Sequence, residues 1–369
     1  MSIPFLSLIT NLPASTPFVG PETLERLHGR VFSARIGANE SAFGISPMAE
    51  AALQQAISSS DCSWYCDPTN LELRSLLAEK HGVDVENICV DAGIDSLLGL
   101  TVRLFVEQGI SVVTSEGAYP TFNYHVAGFN GELHKVPYRN FHEDPDALLQ
   151  KAANTSARLL YFSNPDNPMG TCHSAEAVQR MIDAIPDHCI MLLDEAYCEF
   201  ASDNVEPAID IENTQVMRFR TFSKAYGMAG MRIGYVIAHK ELITGFDKIR
   251  NHFGVNRLAQ VAALASLKDK NFLSTVQKKA ERGRQCIYQL ADDMQLPYLH
   301  SSTNFVAVDL GEGDKTRAVL EQLGKLGVFV RMPGVSPLDR YLRIGIGNTQ
   351  EHGVFEEKFR QVMSEMTVD

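Results

Sequence analysis

The chain has 369 residues and a formal net charge of -12 at pH 7, with 45% hydrophobic and 21% charged residues, as is ordinary for a soluble globular protein. Its length exceeds what one hydrophobic core usually holds, and it predicts two domains or one large domain with a smaller companion. The acidic balance argues against nucleic acid or an anionic membrane as the main partner, because both bind a basic protein surface.

Apolar runs of strand length alternate with amphipathic stretches of helix length over the first two-thirds of the chain. The predicted helices are Leu71–His81, which Gly82 would end as a C-cap, Ile94–Glu107 and Ala175–Ile185. The predicted strands are Asn87–Val90, Ile110–Thr114, Ala157–Phe162, Cys189–Leu193, Gln215–Phe219 and Arg232–Ala238. This alternation predicts an α/β architecture with a mostly parallel central sheet.

The pattern changes after about residue 255. Two longer helices are predicted at Arg257–Leu267 and Leu273–Asp292, and strands at Asn304–Asp309, Val328–Arg331 and Leu342–Ile346 surround one more helix. These elements predict a smaller α+β domain, against which the segment before residue 40 would pack. We therefore expect a large domain over residues 40–255 and a small domain formed by residues 1–39 and 256–369.

The cysteines and the N-terminal stretch bear on the cellular compartment. Seven cysteines, an odd number scattered along the chain, predict reduced thiols, and Cys62 and Cys66 lack a second His or Cys pair that would complete a metal site. Ile3–Ile9 is apolar but short, and no positive charge precedes Arg26, so no signal peptide is expected. No apolar run approaches the length that crosses a bilayer, and we expect a cytoplasmic protein without a metal.

A lysine stands just after a predicted buried strand, in the stretch Thr221-Phe222-Ser223-Lys224. Lysine is costly to bury without a role, and a desolvated amine is nucleophilic enough to condense with an aldehyde. The hydroxyls of Thr221 and Ser223, with Arg232 eight residues after Lys224, suit a phosphate dianion. The alternative is an ordinary loop lysine in contact with solvent.

Asp194 ends another apolar strand, in the stretch Leu193-Asp194-Glu195-Ala196-Tyr197. A carboxylate in such a low-dielectric place needs a cationic or hydrogen-bonding partner, and a protonated pyridine nitrogen would serve. That pairing keeps a pyridine ring electron-withdrawing, as pyridoxal 5'-phosphate (PLP) chemistry requires, and Tyr197 could hydrogen-bond a ring oxygen. The alternative is an aspartate that caps a helix.

Three further features have both a functional and a purely structural interpretation. In the turn Asn164–Gly170, Asn167 could present its amide to a ligand, or the segment could be only a turn. Gly93, before a helix start at Ile94-Asp95, could offer backbone N–H groups to a phosphate, or join a strand to a helix in the ordinary way. Arg343, inside an apolar strand, could bind a carboxylate through two hydrogen bonds or form an internal salt bridge.

Together and in this order, the motifs resemble those of fold-type I PLP enzymes, the class I and II aminotransferases, and among them the histidinol-phosphate aminotransferase group. The resemblance extends from Asn39-Glu40 to about Gly347, with its most specific stretches at Asp194–Phe200, Thr221–Ala225 with Gly230-Met231-Arg232, and Asn164–Gly170. It implies the aspartate-aminotransferase fold and PLP as the cofactor.

The resemblance also implies which residues contact the PLP ring. Lys224 would bind the cofactor as a Schiff base and then carry a proton during the reaction, and Asp194 would pair with the pyridine nitrogen. Tyr197 and Asn167 would hydrogen-bond the ring hydroxyl oxygen, and Phe122 would stack on the ring.

The cofactor phosphate would be held, by the same resemblance, from two subunits. The backbone of Ile94 and Asp95 and the side chains of Ser223 and Arg232 would bind it from one chain, and Tyr65 would reach it from the neighbouring chain. The resemblance thus implies a homodimer with shared active sites.

The substrate residues follow from the same family pattern. Arg343 would bind the substrate α-carboxylate or its counterpart group, Arg331 the side-chain phosphate, and Asn39 would lie beside the substrate. The chain departs from the family at Phe18, where a tyrosine hydroxyl would help to bind the phosphate, and at Met332-Pro333-Gly334, which is more apolar than usual.

The implied activity is amino-group transfer between an L-amino acid or histidinol phosphate and a 2-oxo acid, 2-oxoglutarate by family habit, in a ping-pong mechanism. Histidinol phosphate would place the enzyme in histidine biosynthesis. The alternatives are an aromatic or neutral amino acid aminotransferase, a PLP-dependent decarboxylase resembling threonine-phosphate decarboxylase, and a binding protein that retains the fold. The cofactor motifs are shared by the transferase and the decarboxylase and do not separate them.

Overall fold

A seven-stranded sheet lies at the centre of the computed structural model, which describes residues 3–13, 18–59, 61–201 and 204–366. The strands are β1 (Ala34–Arg35), β2 (Ile88–Asp91), β3 (Ser111–Ser115), β4 (Glu132–Val136), β5 (Leu159–Ser163), β6 (Ile190–Asp194), β7 (Val216–Thr221), β8 (Gly234–Ala238), β9 (Phe305–Asp309), β10 (Val328–Phe329) and β11 (Tyr341–Gly345). The large sheet has the order β2-β8-β7-β6-β5-β3-β4.

The helices cover this sheet and build the rest of the fold. They are α1 (Ser7–Asn11), α2 (Pro21–His28), α3 (Pro47–Ser58), α4 (Leu71–His81), α5 (Ile94–Phe105), α6 (Pro120–Gly128), α7 (Pro145–Thr155), α8 (Ala175–Asp183), α9 (Lys240–Asp247), α10 (Arg257–Lys268), α11 (Lys270–Asp293), α12 (Gly313–Lys325) and α13 (Thr349–Glu365).

The strand directions confirm the predicted α/β architecture. Strands β4, β3, β5, β6 and β7 run parallel, and only β8 runs against its neighbours β7 and β2. Strand β5 is buried along its whole length because its successive side chains point to opposite faces of the sheet. Those on one face pack into an apolar cluster with α5 and α6, and those on the other face pack into a cluster with α7 and α8. Continuous apolar runs are typical of parallel strands that are covered on both faces.

The register of the parallel strands places the polar residues that end them side by side. Ser163 at the end of β5 pairs with Asp194 at the end of β6, and Asp194 pairs with Phe219, two residues before the end of β7 at Thr221. Because parallel strands end at the same edge of a sheet, the segments that follow β5, β6 and β7 form one surface, where ligands bind in open α/β sheets.

The structure differs from the predicted elements at β4 and at the start of β8. Strand β4 was not predicted, because its residues Glu132–Val136 form a largely solvent-accessible edge strand with charged side chains and no apolar run. Arg232 was predicted to begin a strand, but β8 begins at Gly234, and Arg232 has φ +54° in the left-handed region at the end of a 3-10 turn. That conformation points its guanidinium back towards Ser223.

The C-terminal third forms a second layer of structure. Strands β9 and β11 pair antiparallel, β1 pairs parallel with β10, and their side chains pack with α11 and α13 in one apolar cluster around Ile287, Val306, Leu342 and Phe355. Helix α10 instead packs against α3 and α4, where Ala259, Ala262 and Ala263 share a cluster with Tyr235 of β8. The predicted boundary at residue 255 stays a prediction.

None of the helices within the described ranges combines the length and the apolar character that a membrane-spanning helix needs.

Candidate active site

A cavity of about 310 Å³ opens at the carboxyl ends of β5, β6 and β7. Residues from both the large sheet and the C-terminal layer line it. Eleven of the thirteen site residues predicted from the sequence are among its lining: Asn39, Ile94, Asp95, Asn167, Asp194, Tyr197, Ser223, Lys224, Arg232, Arg331 and Arg343. The fold therefore brings these distant segments together, and only Phe122 and Tyr65 lie elsewhere.

Lys224 lies in the turn after β7, with its side chain partly buried in the cavity wall. The turn depends on Gly227, which has φ +70° and whose Cβ would lie 1.9 Å from the Gly44 carbonyl oxygen, so that any larger residue would displace the backbone. The Lys224 Nζ donates to the Asn39 carbonyl oxygen at 3.4 Å and forms no salt bridge with any residue that the structure describes. Its amine is therefore held towards the cavity without a neutralising carboxylate.

Asp194 ends β6 with only 6% of its surface exposed. Its Oδ1 accepts from the Ala196 backbone N–H at 3.0 Å, and its Oδ2 accepts from the Tyr161 hydroxyl at 2.6 Å. Burial raises the Asp194 pKa to about 6, although both hydrogen bonds act to lower it. The carboxyl is thus poised to gain from a cationic partner in the cavity.

Tyr161 was not predicted from the sequence. It lies on β5, two residues before Ser163, and its ring is fully buried. A buried tyrosine usually finds a partner for its hydroxyl, but only the register of β5 against β6 shows that this partner is Asp194. A single sequence does not fix such a register, because β5 is apolar at most of its positions.

A short hydrogen-bond network joins Tyr197 to the substrate side of the cavity. The Tyr197 hydroxyl oxygen accepts from Asn39 Nδ2 at 2.9 Å and from Asn167 Nδ2 at 3.4 Å. The Asn167 Oδ1 accepts from Arg343 Nη1 at 2.6 Å, so one amide connects the tyrosine to the arginine. Asn39 has φ +55°, which asparagine tolerates better than most residues, and its buried Oδ1 has no hydrogen-bond partner among the described residues.

The start of α5 forms a second polar wall. Gly93 has φ +91° and serves as an N-cap without a side-chain hydrogen bond to the helix, and Ile94 and Asp95 begin the helix at the cavity. Arg232 donates to Ser223 Oγ at 3.5 Å and to Asp95 Oδ2 at 3.4 Å. A helix N-terminus beside an arginine and a hydroxyl suits a phosphate group.

Arg331 and Arg343 make up the cationic side of the cavity. Their backbones are paired, and neither guanidinium forms a salt bridge within the described ranges, since Arg343 donates to Asn167 and to the Gly37 carbonyl and Arg331 to the Val19 carbonyl at 2.7 Å. Burial lowers the pKa of Arg343 to about 10 and also lowers that of Arg331. Two partly buried cations without carboxylate partners favour an anionic ligand.

The comparisons with known proteins agree with this geometry. The family model "Aminotransferase class I and II" matches residues 35–354. The chain belongs to the class I and II aminotransferases. A crystal structure of histidinol-phosphate aminotransferase from Sinorhizobium meliloti in complex with pyridoxal-5'-phosphate is 46% identical, with a TM-score of 0.96 over 99% of both chains.

Relatives of lower identity support the assignment of this aminotransferase to its family and fold. "Histidinol-phosphate aminotransferase 2" of Carboxydothermus hydrogenoformans is 31% identical over 362 residues, covering 96% of this chain and 98% of the relative. Aspartate aminotransferase of Thermus thermophilus with maleate, at 20% identity and a TM-score of 0.82, shares the fold. The fold that was predicted from the motifs is confirmed.

Phe122 of this aminotransferase does not line the cavity. Its ring is fully buried and stacks on the Tyr161 ring, with 4.8 Å between the centroids. Tyr119, three residues earlier, lines the cavity instead, and its hydroxyl donates to Asp95 Oδ1 at 2.8 Å. The stacking of Phe122 on a cofactor ring stays a prediction, and Tyr119 is the aromatic residue of this segment that faces the cavity.

Tyr65 lies outside the cavity of its own chain. Its side chain is 80% exposed, and its ring contacts Phe253 with 4.9 Å between the centroids. Trp64 beside it is also largely exposed and receives the Arg257 guanidinium over its ring at 5.6 Å. Within one subunit, therefore, Tyr65 cannot be assigned a contact with the site.

Proposed function

We propose that this aminotransferase binds PLP on Lys224, takes the amino group of histidinol phosphate and passes it to 2-oxoglutarate in a ping-pong reaction. The observation that carries the proposal is the convergence of Lys224, Asp194, Arg331 and Arg343 on one cavity, where neither arginine has a carboxylate partner among the described residues. The names and similarity of the Sinorhizobium meliloti and Carboxydothermus hydrogenoformans relatives support the same substrate.

The residues present fit PLP at each of its functional groups. The Lys224 amine would take the aldehyde carbon, Asp194 the ring nitrogen, and Tyr197 with Asn167 the ring oxygen. The phosphate would be bound at the α5 N-terminus by backbone groups of Ile94 and Asp95 and by the side chains of Ser223 and Arg232. When bound, the cofactor supplies an electron-withdrawing ring that stabilises negative charge at the substrate carbon bearing the amino group.

The protein residues then handle protons and orientation. Lys224 is the cavity base that would move a proton at that substrate carbon, and the Asn39 carbonyl orients its Nζ. The Tyr197 hydroxyl accepts from two amides, which leaves its own proton free to donate to an anionic ring oxygen.

The two arginines provide for the anionic groups of both substrates. Arg343 reaches Asn167 and would bind the carboxylate of 2-oxoglutarate or the equivalent part of the donor. The Arg331 guanidinium carbon lies 5.4 Å from the centroid of the Phe18 ring and 5.3 Å from that of the Phe329 ring. This guanidinium would bind the distal phosphate of histidinol phosphate. Asn39, whose buried Oδ1 has no partner in the described part of the chain, would contact the substrate beside Lys224.

We further propose a homodimer in which Tyr65 reaches the cofactor phosphate of the partner subunit. The exposure of Tyr65, Trp64 and Phe253 on one surface supports this, because large aromatic side chains are enriched at subunit interfaces. The unpaired thiols of all seven cysteines are in keeping with a cytoplasmic location. We retain the division into residues 40–255 and residues 1–39 with 256–369 as a proposal.

The test is absorbance spectroscopy of the purified protein with PLP and one amino donor at a time. Histidinol phosphate should convert the absorbance band of the lysine-bound cofactor to that of its aminated form, and 2-oxoglutarate should restore it. Phenylalanine and phosphothreonine serve as comparison donors. Conversion by phenylalanine alone would contradict histidinol phosphate as the donor, and release of carbon dioxide without a 2-oxo product would contradict transamination.

A further inference from the structure

The Asp194 carboxyl depends on one side chain for its second oxygen. The Tyr161 hydroxyl donates to Asp194 Oδ2 at 2.6 Å and itself accepts from Ser163 Oγ at 3.2 Å. The other oxygen, Oδ1, is held by the Ala196 backbone N–H, which no substitution of a side chain removes. Tyr161 is therefore the side chain through which the protein controls the charge on Asp194.

Ring packing and strand pairing keep the Tyr161 hydroxyl in place. Its ring is fully buried in the cluster that covers one face of the sheet and stacks on Phe122. The parallel pairing of β5 with β6 fixes the distance between the two backbones. The rigid ring therefore presents its hydroxyl to Asp194 at little further cost in conformational entropy.

We propose that Tyr161 is a positioning residue for transamination, which holds Asp194 in place as the anion that pairs with the ring nitrogen of the cofactor. The inference rests on the proposed function, because Asp194 needs its charge only if a cationic group occupies the cavity beside it. Tyr161 acts through Asp194 and has no chemical step of its own.

The charges around Asp194 make this donor necessary. Asp95, across the cavity, and Glu195, the next residue, both disfavour the charged form of Asp194. Arg218 and Arg220 of β7 form salt bridges with Glu195 and not with Asp194. Lys224 and Tyr197 line the same cavity but are hydrogen-bonded to Asn39. Among the described residues, Tyr161 and the Ala196 N–H are the donors to Asp194 that oppose burial and these negative neighbours.

Tyr138 provides a matched control. Its hydroxyl donates to the buried carboxylate of Asp166 at 2.8 Å, which is the same kind of bond at a carboxyl outside the cavity. The changes Tyr161→Phe and Tyr138→Phe each remove one hydroxyl and keep the ring. Each change therefore removes one buried hydrogen bond between a tyrosine and a carboxyl group, but only Tyr161→Phe removes a hydrogen bond to Asp194.

The experiment is a pH titration of the cofactor-free protein, labelled with 13C at the aspartate carboxyl carbons. The Asp194 signal is assigned by its absence in Asp194→Asn. Tyr161→Phe should raise the midpoint of this signal by about one pH unit, which is tenfold in proton affinity. Tyr138→Phe should leave it unchanged, and Ser163→Ala, which removes the bond to the Tyr161 hydroxyl, should raise it by less.

The loaded enzyme gives a second readout that a purely structural role would not change. With 15N-labelled PLP, Tyr161→Phe should reduce the protonated fraction of the ring nitrogen at pH 8, and it should lower kcat by a similar factor for every donor while KM changes little. An unchanged Asp194 midpoint in Tyr161→Phe, or an equal shift in Tyr138→Phe, would overturn the inference. Failure of the wild-type protein to bind PLP would instead overturn the proposed function. The two failures can be told apart because the titration of Asp194 is made on cofactor-free protein and does not depend on PLP binding.

Discussion

Asp194 carries a charge that the fold disfavours. Burial raises its pKa from 3.8 to about 6, so the folded chain binds a proton at this carboxyl more tightly than the unfolded chain does. The cost of ionising Asp194 in the fold is therefore absent below about pH 4 and fully present above about pH 6. Residues kept at such a cost are found at functional sites more often than elsewhere.

Asp194→Asn should therefore stabilise the cofactor-free protein at pH 7.5 by about 1–2 kcal/mol. This is below the ~3 kcal/mol that a rise of about two pKa units represents, because the amide nitrogen of Asn replaces one accepting oxygen and loses a hydrogen bond. The gain should shrink as the pH falls from 6 to 4. Denaturant unfolding of both proteins at several pH values measures this gain in the free energy of unfolding. The control is Asp187→Asn, at an exposed carboxylate. A gain that grows at low pH would contradict a raised pKa at Asp194.

Arg331 should determine the preference for histidinol phosphate over a donor without a phosphate. Arg331→Gln removes the cation proposed to bind the distal phosphate, and a hydrogen bond to a charged group contributes about 1.5–3 kcal/mol. The KM for histidinol phosphate should rise by about 10- to 100-fold, and the change for a donor without a phosphate, such as phenylalanine, should be small. Exposed Arg317→Gln is the control. An equal rise for both donors would place Arg331 outside the phosphate site.

The junction of β2 with α5 shows how a backbone conformation builds a site. Gly93 has φ +91°, and a Cβ there would lie 2.8 Å from Arg232 Nη2. Gly109 has a similar φ of +81°, and none of the residues that the structure describes has an atom within 4 Å of its Cβ position. Both glycines therefore have a positive φ that disfavours a side chain, and they differ in what that side chain would meet.

Gly93→Ala and Gly109→Ala should each destabilise the protein by about 1–2 kcal/mol through the strained backbone. Only Gly93→Ala should also displace Arg232 and weaken PLP binding, which fluorescence titration of the cofactor-free protein measures. Equal PLP affinity in the two variants would mean that the α5 N-terminus and Arg232 do not hold the phosphate.

The elements also show what a sequence can and cannot predict. Lys224, Asp194 and Asn167 were found because each follows an apolar run, and the parallel sheet brings such positions to one edge. Tyr161 and Tyr119 were missed because strand register and helix rotation decide which ring faces the cavity, and a single sequence contains neither. The same limit applies to β4, whose polar edge position gives no apolar signal, and to Arg232, whose left-handed φ only the folded turn reveals.

The proposed dimer makes each site depend on two chains. Tyr65 lies exposed and away from its own cavity, whereas Lys224 lies inside it. Two inactive variants should then complement each other in a mixed dimer, because Lys224 of one chain meets Tyr65 of the other at one of the two sites.

Mixing Tyr65→Ala with Lys224→Ala under conditions that exchange subunits should restore activity. Random pairing makes about half of the dimers mixed, and each mixed dimer has one intact site of two. About a quarter of all sites are then intact, so about a quarter of the wild-type activity of the same amount of protein is expected. Each variant exchanged with itself gives the baseline. Activity no higher than the mean of the two baselines would contradict a site shared between subunits.

Lys224 should be the lysine that holds the cofactor. Borohydride reduction of the protein with PLP fixes the cofactor to whichever lysine binds it, and mass spectrometry of a protease digest then locates the modified residue. We expect the added mass on the peptide that contains Lys224, and none on any peptide from Lys224→Ala treated in the same way. Stoichiometric modification of a different lysine, with Lys224 unmodified, would contradict the assignment of the site.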